Sequence, residues 1–249
     1  MSDWASDEDC NPSSLDDMAI YPEAKELLEF FYASGDVPHI IFHGDTGTGK
    51  TTAATLLARN IKPDFTDANV FDCGGGKGKK EMDDWVLQLV GAKGGLTRFF
   101  SDAEPECFIF DEFHNITERV QTTLNKPLET SARNTPCFFL VNDLDKVAVP
   151  IKDRCTLIPF DVCSVRPVNK KIENELVMLS HHSWSEKEWK EELRRVGQIA
   201  TKKKGYEVDS EIEDKVLTNN LACVSIRTYI RKLGQSYDMR YFYDKSKEN

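Results

Sequence analysis

A glycine-rich segment is the first place in this sequence where residue types and spacing define a chemistry. It reads GDTGTGKT and fits the pattern G-x-x-x-x-G-K-[ST] at every position. Small residues let backbone N–H groups turn inward around phosphate oxygens, and the N-terminus of a following helix adds a favourable dipole. The lysine then meets the β- and γ-phosphates and the last hydroxyl binds Mg²⁺. The segment predicts a site for a nucleotide and Mg²⁺, with contacts from Gly44, Asp45, Thr46, Gly47, Thr48, Gly49, Lys50 and Thr51.

Two adjacent acidic residues, Asp111 and Glu112, follow the apolar run Cys107–Phe110. A parallel strand delivers the residues that follow it to the carboxyl edge of its sheet, where phosphate loops also lie. Asp111 is therefore predicted to hold the Mg²⁺ shell, and Glu112 to polarise a water for attack on the γ-phosphate. The alternative is a solvated strand end without a chemical role.

Asn142 follows a third apolar run, Cys137–Val141. We expect this amide to lie between the acid-bearing strand ends and to hydrogen-bond the attacking water or the γ-phosphate. An Asn at a strand end also forms turns, which is the alternative interpretation.

Alternating strand and helix patterns would position these groups. The apolar runs predict strands and the helical spacings between them predict helices, so that the first part of the chain is a parallel α/β sheet. The predicted strands are His39–His43, Asn69–Cys73, Cys107–Phe110, Pro136–Val141 and Thr156–Phe160; the predicted helices are Pro22–Tyr32, Ala53–Arg59, Lys80–Val90 and Thr117–Asn125.

After Phe160 the chain shows only helical patterns. Ser185 and Glu188 have the spacing of a capping box at the start of one of them. We place a domain boundary near 163–167, giving an α/β domain over 1–165, which includes a loosely held polar arm at 1–17, and a small helical domain over 166–249. The predicted helices of this domain are Lys170–Leu179, Ser185–Lys203, Ser210–Thr218 and Val224–Tyr241.

Composition and charge restrict the class of protein. The 249 residues carry 32 Lys+Arg and 42 Asp+Glu, a net charge of −10, which argues against a protein that coats nucleic acid but leaves room for a local basic surface. Seven cysteines without a Cys-x-x-Cys pair argue against a disulfide framework or a zinc site. The acidic N-terminus and the short apolar runs predict neither a signal peptide nor a membrane helix. We expect the protein to act in a reducing intracellular compartment, the cytoplasm or the nucleus. A viral protein that acts in its host cell also fits this expectation.

Together these elements resemble an AAA+ ATPase of the clamp-loader family, to which replication factor C small subunits and, with closer similarity, T-even-type phage clamp-loader ATPase subunits belong. The similarity covers roughly residues 11–235 and rests on the order and spacing of all its elements. They are Asn11–Asp16, Gly35–Gly44, Gly44–Thr51, Asp111-Glu112, Asn142, Val149–Cys155 and Arg227.

The resemblance implies a P-loop AAA+ parallel sheet flanked by helices and followed by a small all-α lid domain. It implies Mg²⁺-dependent ATP hydrolysis that opens a sliding clamp and places it on primed DNA. The implied partners are the clamp, the backbone of primer–template DNA and other clamp-loader subunits, of one or several kinds, with no membrane.

The resemblance also assigns roles to particular residues. Arg154 matches an arginine finger that reaches a neighbouring subunit's ATP, and Arg227 matches an arginine that senses the γ-phosphate in its own subunit. Gln121 matches a glutamine that couples DNA contact to the catalytic glutamate. For either arginine the alternative is a surface ion pair. The resemblance also implies contacts with the DNA backbone, for which the candidates are Lys77, Lys79, Lys80 and Arg98. The alternative is that these residues belong to a solvated loop.

Three features depart from the family pattern. Asp153 replaces the serine before the finger, and its carboxylate either orients Arg154 or pairs with it. Pro127 is expected to kink a helix that the family keeps continuous. The chain ends soon after the second domain, so a collar domain is expected to be absent or supplied by another subunit. Two further functions stay open: another AAA+ remodeller such as a helicase loader, and a binding subunit in which ATP is only a switch.

Overall fold

The computed structural model of the protein describes residues 3–74, 80, 83–84, 106–131, 135–160, 184–219 and 225–247. The chain divides into two units. The sheet unit comprises 22–44 and 50–160, and the helical unit comprises 1–21, 45–49 and 161–249. The predicted boundary near 163–167 lies outside the described residues and stays a prediction.

Five parallel strands form the sheet of the first unit. They are β1 (Ile40–His43), β2 (Val70–Asp72), β3 (Phe108–Asp111), β4 (Cys137–Val141) and β5 (Thr156–Pro159). Their order across the sheet is β2-β3-β4-β1-β5, and all neighbouring pairs run parallel. The predicted fold class and all five predicted strands are confirmed.

The three inner strands, β1, β3 and β4, are apolar along most of their length because both faces of the sheet are covered there. All five residues of β4 are buried. On one face, Phe139 stacks on Phe110 with ring centroids 5.2 Å apart and meets Phe113 at 4.6 Å. This aromatic contact ties the end of β3 to β4, the two strands whose ends carry Glu112 and Asn142.

The helices of the sheet unit are α1 (Pro22–Ser34), α2 (Lys50–Ile61), α3 (Glu118–Gln121), α4 (Asn125–Ser131) and α5 (Val149–Lys152). The predicted single helix Thr117–Asn125 is wrong in one respect, because Thr122–Leu124 form a 3₁₀ turn between α3 and α4. Pro127 has no N–H to donate to the carbonyl of Thr123, so the regular helical bonding stops there. The expected interruption of this helix is therefore present, one turn earlier than the proline itself.

The helical unit contains α6 (Glu186–Lys203), α7 (Ser210–Asn219) and α8 (Ile226–Lys247). The predicted capping box is confirmed: Ser185 accepts from the Glu188 N–H while the Glu188 side chain accepts from the Ser185 N–H at 2.8 Å. Trp189 is buried in the core between these helices. The predicted helix Lys170–Leu179 lies outside the described residues, as does most of Lys80–Val90. No helix in the described parts of the chain is long and apolar enough to cross a membrane.

The N-terminal segment is packed tightly against this unit rather than held loosely. Trp4 is only 2% exposed and stacks on Tyr206 and Tyr237, with centroids 5.5 and 5.6 Å away. Lys203 pairs with Asp17 at 3.0 Å, and Lys204 pairs with both Asp7 and Asp9. Arg195 donates to the carbonyls of Asp16 and Met18 at 2.6 and 2.7 Å. The composition of the arm is polar, but one tryptophan and its acidic residues fix it.

Candidate nucleotide site

The sheet brings three predicted groups to one edge. Asp111 and Glu112 end or follow β3, Asn142 follows β4, and Gly44 follows β1, whose neighbour is β4. The Gly44 N–H donates to the carbonyl of Val141 at 3.2 Å, so the phosphate loop begins beside the end of β4. Asn142 thus follows β4, the strand between acid-bearing β3 and β1, which leads into the loop. Asp72, at the end of β2, lies on the other side of β3.

The first turn of α2 carries the lysine and threonine of the loop motif. Lys50 is buried, and its ammonium donates to the carbonyl of Gly44 at 2.6 Å. The Thr51 hydroxyl donates to Asp111 Oδ2 at 3.4 Å. The Thr51 hydroxyl oxygen and the Asp111 carboxylate oxygen are hard ligands of the kind that Mg²⁺ prefers. Their proximity fits the binding of one Mg²⁺ by both residues. Burial raises the pKa of Asp111, although a hydrogen bond from the Glu112 N–H opposes this effect.

Glu112 lies in a strained turn. It has φ 52° and ψ 35°, and no other non-glycine residue in the described ranges has a positive φ. Such a conformation costs on the order of 1–3 kcal/mol and is concentrated at functional sites. Phe113 is fully buried and anchors the turn, so the core compensates for the strain. The Glu112 carboxylate itself accepts a hydrogen bond from Asn115 Nδ2 at 3.0 Å.

The loop Asp45–Gly49 contains two glycines at positive φ, where a larger residue would be strained. Gly47 and Gly49 have φ +78° and +100°. A Cβ on Gly47 would lie 2.9 Å from Ser225 Oγ, and one on Gly49 would lie 2.9 Å from Met18 Cε. The Thr48 hydroxyl closes the loop by donating to the carbonyl of Asp45 at 2.8 Å. A backbone this closely packed, with small residues inside, fits the cradle that phosphate oxygens require.

Arg227 lies at the start of α8, and its side chain is exposed. Its backbone N–H donates to the carbonyl of Gly47 at 3.3 Å. The predicted γ-phosphate sensor is thus joined to the phosphate loop through its main chain. Its predicted role stays a prediction.

Gln121 is fully buried and uses its whole amide. Nε2 donates to the carbonyls of Ile116 and Lys146, both at 2.9 Å, and Oε1 accepts from the Ala148 N–H at 2.8 Å. The side chain therefore ties the segment after Glu112 to the segment between β4 and α5. Glu112 is not among these contacts.

Arg154 pairs with a different carboxylate from the one the sequence suggests. Its Nη2 contacts Glu129 of α4, and its Nη1 donates to the carbonyl of Pro150 at 2.7 Å. Asp153 is exposed and is not the partner in either contact. Neither Asp111 nor Glu112 of the same chain is in contact with this guanidinium among the described interactions, which leaves the expectation of a role toward a neighbour in place.

The predicted DNA contacts fall mostly outside the described residues. Lys77, Lys79 and Arg98 are not described, and Lys80 is exposed. All four stay predictions.

Sequence reasoning did not find three contacts around these groups. The His114 ring accepts a hydrogen bond from the Asn142 N–H at 3.4 Å, and burial lowers its pKa, consistent with a neutral ring. The other two contacts join Asn115 to Glu112 and Glu129 to Arg154. The proximity of Asn115 to Glu112, three residues apart, was the one available signal, and Glu129 lies too far from Arg154 in sequence to be found.

Comparisons with known proteins agree with this geometry. Residues 40–160 match the family model described as "ATPase family associated with various cellular activities (AAA)". Replication factor C small subunit 2 of Pyrobaculum islandicum is 30% identical over 68% of this chain and 53% of its own length. Replication factor C subunit 4 of Encephalitozoon cuniculi is 28% identical over 65% of this chain and 50% of its own. The chain thus spans about half the length of these curated relatives.

Solved structures show the same fold. The Thermotoga maritima RuvB Holliday junction branch migration motor superposes with a TM-score of 0.63 at 15% identity, over 95% of this chain and 68% of the other. At that identity the likeness concerns architecture alone.

Residues 40–160 are therefore an AAA-family ATPase domain. Over about two thirds of its length the chain is similar in sequence to replication factor C small subunits.

Proposed function

We propose that the protein is an ATP-dependent clamp-loader subunit that acts in DNA replication. The observation that carries the proposal is the Glu112 turn beside the Thr51–Asp111 pair, on a chain similar in sequence to replication factor C small subunits. Glu112 is the base for the attacking water, and Thr51 and Asp111 would hold Mg²⁺. Bound Mg²⁺ would neutralise phosphate charge during hydrolysis.

Several groups must change partner when ATP binds. Lys50 leaves the Gly44 carbonyl for the β- and γ-phosphates. A charged phosphate oxygen then replaces a neutral carbonyl oxygen as one acceptor of the Lys50 ammonium. Asn142, exposed after β4, orients the water or the γ-phosphate. Arg227 senses the γ-phosphate from the start of α8, where its main chain already contacts Gly47.

The proposal extends to partners. Arg154 completes the site of a neighbouring subunit, of the same or another kind, and Gln121 couples DNA contact to Glu112 through the segments that it joins. Lys77, Lys79, Lys80 and Arg98 follow the backbone of primer–template DNA without reading its sequence. ATP binding then favours an assembly that opens a sliding clamp, and hydrolysis releases the clamp on DNA.

The direct test of the ATPase assignment is Glu112→Gln. This variant keeps the shape of the side chain but removes the base, so we expect ATP binding to persist and steady-state hydrolysis to fall at least a hundredfold. Lys50→Ala is the matched variant that should lose binding as well. Hydrolysis that is unchanged in Glu112→Gln would contradict the assignment.

The two alternative functions differ from this one in measurable ways. A helicase loader would bind a replicative helicase in preference to a sliding clamp when both compete in a pull-down. A protein in which ATP is only a switch would bind ATP tightly but show negligible hydrolysis with every candidate partner present. The similarity to proteins named replication factor C favours the clamp-loader function over both.

A further inference from the structure

We propose that Asn115 is a positioning residue for the catalytic carboxylate: its amide, with the backbone of Gly74 on the other side, holds the Glu112 side chain ready for the attacking water. This inference rests on the proposed function, in which Glu112 is the base.

Asn115 binds Glu112 twice. Its backbone N–H donates to the Glu112 carbonyl at 2.9 Å, which closes the 3₁₀ turn Phe113–Asn115. Its side-chain Nδ2 donates to Glu112 Oε2 at 3.0 Å. Because both bonds come from one residue, the orientation of the carboxylate is tied to the turn that carries it. Asn115 thereby engages Oε2, and Oε1, which has no hydrogen bond among the described residues, would accept a proton from water.

Gly74 forms the opposite wall. A Cβ built on Gly74 would lie 1.8 Å from Glu112 Oε2 and 2.6 Å from its Cδ, so the carboxylate occupies the space that any side chain at this position would need. The Gly74 N–H donates to Asp72 Oδ1 at 2.8 Å, which holds this wall at the end of β2. The exposed Glu112 carboxylate therefore lies between the end of β2 and the Asn115 amide.

The backbone completes the restraint. Glu112 adopts φ 52°, and Phe113, directly after it, is fully buried against Phe110 and Phe139. The core thus fixes the direction in which the Glu112 side chain leaves the main chain, while Asn115 and Gly74 fix its end. A base held in this way loses little conformational freedom when it acts, which favours the transition state over the bound ground state.

The test compares Asn115→Ala and Asn115→Asp with the wild type, in steady-state ATP hydrolysis with primed DNA and the sliding clamp present. Loss of one hydrogen bond to a charged group should lower kcat about tenfold and leave KM for ATP unchanged. Asn115→Asp keeps the size and shape of the side chain but replaces the donor by an acceptor, so kcat should fall at least as far. Asn11→Ala, an exposed asparagine of the arm, is the matched control.

A purely structural role for Asn115 would give a different pattern. Asn115→Asp would then have a kcat close to the wild type, or kcat would fall only together with the melting temperature. Either result, or a rise in kcat in Asn115→Ala, overturns the proposal. Gly74→Ala gives a second line of evidence: its added methyl should displace the carboxylate and lower kcat without loss of ATP affinity, and an unchanged kcat would also contradict the proposal.

The Glu112→Gln variant separates the two levels. If that variant hydrolyses ATP normally, the proposed function fails, and with it the role of Asn115. If Glu112→Gln is inactive but both Asn115 variants behave as wild type, only the positioning role is wrong.

Discussion

The backbone N–H of Arg227 donates to the carbonyl of Gly47 at 3.3 Å, so the start of α8 is bonded directly to the phosphate loop. The contact is close on both sides, because a Cβ on Gly47 would lie 3.2 Å from the Arg227 Cβ. We therefore expect a change of the loop on nucleotide binding to alter the first turn of α8. Both Gly47 and α8 belong to the helical unit, so this bond is a contact within that unit.

Gly47→Ala should weaken ATP binding at least tenfold. The new methyl meets Ser225 at 2.9 Å, and φ +78° is unfavourable for alanine by about 1–2 kcal/mol, so the loop must move. Titration with a fluorescent ATP analogue measures the change. Gly35→Ala is the control: it has a similar φ of +69° but open space around the methyl. Equal ATP affinities for the two variants would show that packing at Gly47 is unimportant.

Arg154→Ala should lower hydrolysis about a thousandfold or more while ATP binding is retained, as expected for an arginine finger. A mixture of Arg154→Ala and Lys50→Ala subunits tests whether the finger acts on a neighbour. Arg154→Ala subunits keep an intact ATP site, and Lys50→Ala subunits keep an intact finger. Where a Lys50→Ala subunit lies next to an Arg154→Ala subunit, its finger completes the neighbour's site, so the mixture should be more active than either variant alone. No recovery in the mixture would argue that Arg154 is only the ion-pair partner of Glu129.

Trp4→Ala should destabilise the helical unit by about 3–5 kcal/mol, the usual cost of removing a buried large aromatic side chain. Trp4 is 2% exposed between two tyrosines, and its ring lies against Gly234, where a Cβ would be 2.4 Å from Cγ. Urea unfolding measures the loss. Phe30→Ala, at 63% exposure, is the control and should change stability by no more than about 0.5 kcal/mol. A similar small effect for Trp4→Ala would mean that the arm is not anchored.

Acidification should destabilise the sheet unit through His43. Burial, with a smaller effect of the Lys50 ammonium, lowers the pKa of His43 to about 4. The unfolded chain, with a His pKa near 6.5, takes up the proton first, so stability is lost as the pH falls below about 6.5. Between pH 7 and pH 5 this residue should account for about 2 kcal/mol of unfolding free energy. His43→Gln should remove that part of the pH dependence in urea unfolding, and an unaltered pH dependence would contradict it.

The sequence predicts the sheet well because its inner strands, β1, β3 and β4, are buried on both faces. Runs such as Cys137–Val141 are apolar at every position and are easy to distinguish from their surroundings. The positions of the GKT motif and of the acidic pair Asp111-Glu112 are predictable for a similar reason. Each follows or ends an apolar strand, and a parallel sheet brings such strand ends to one edge.

What could not be predicted depends on single contacts. The arm has the composition of a loose segment, and only the burial of Trp4 between Tyr206 and Tyr237 shows otherwise. Arg154 has an acidic neighbour in sequence, Asp153, but the fold brings it to Glu129 instead. The break before Pro127 falls at Thr122–Leu124, because a proline disturbs the turn that precedes it. In each case a tertiary contact or a backbone constraint outweighs the local pattern.

The central claim is tested most directly by ATP hydrolysis of the purified protein, alone, with primed DNA, with the sliding clamp of the same genome, and with both. The account predicts weak hydrolysis alone and strong stimulation only when DNA and clamp are present together, with stimulation lost in Glu112→Gln. ATP binding without stimulation by the combination, also after the products of neighbouring replication genes are added, would contradict the clamp-loader function.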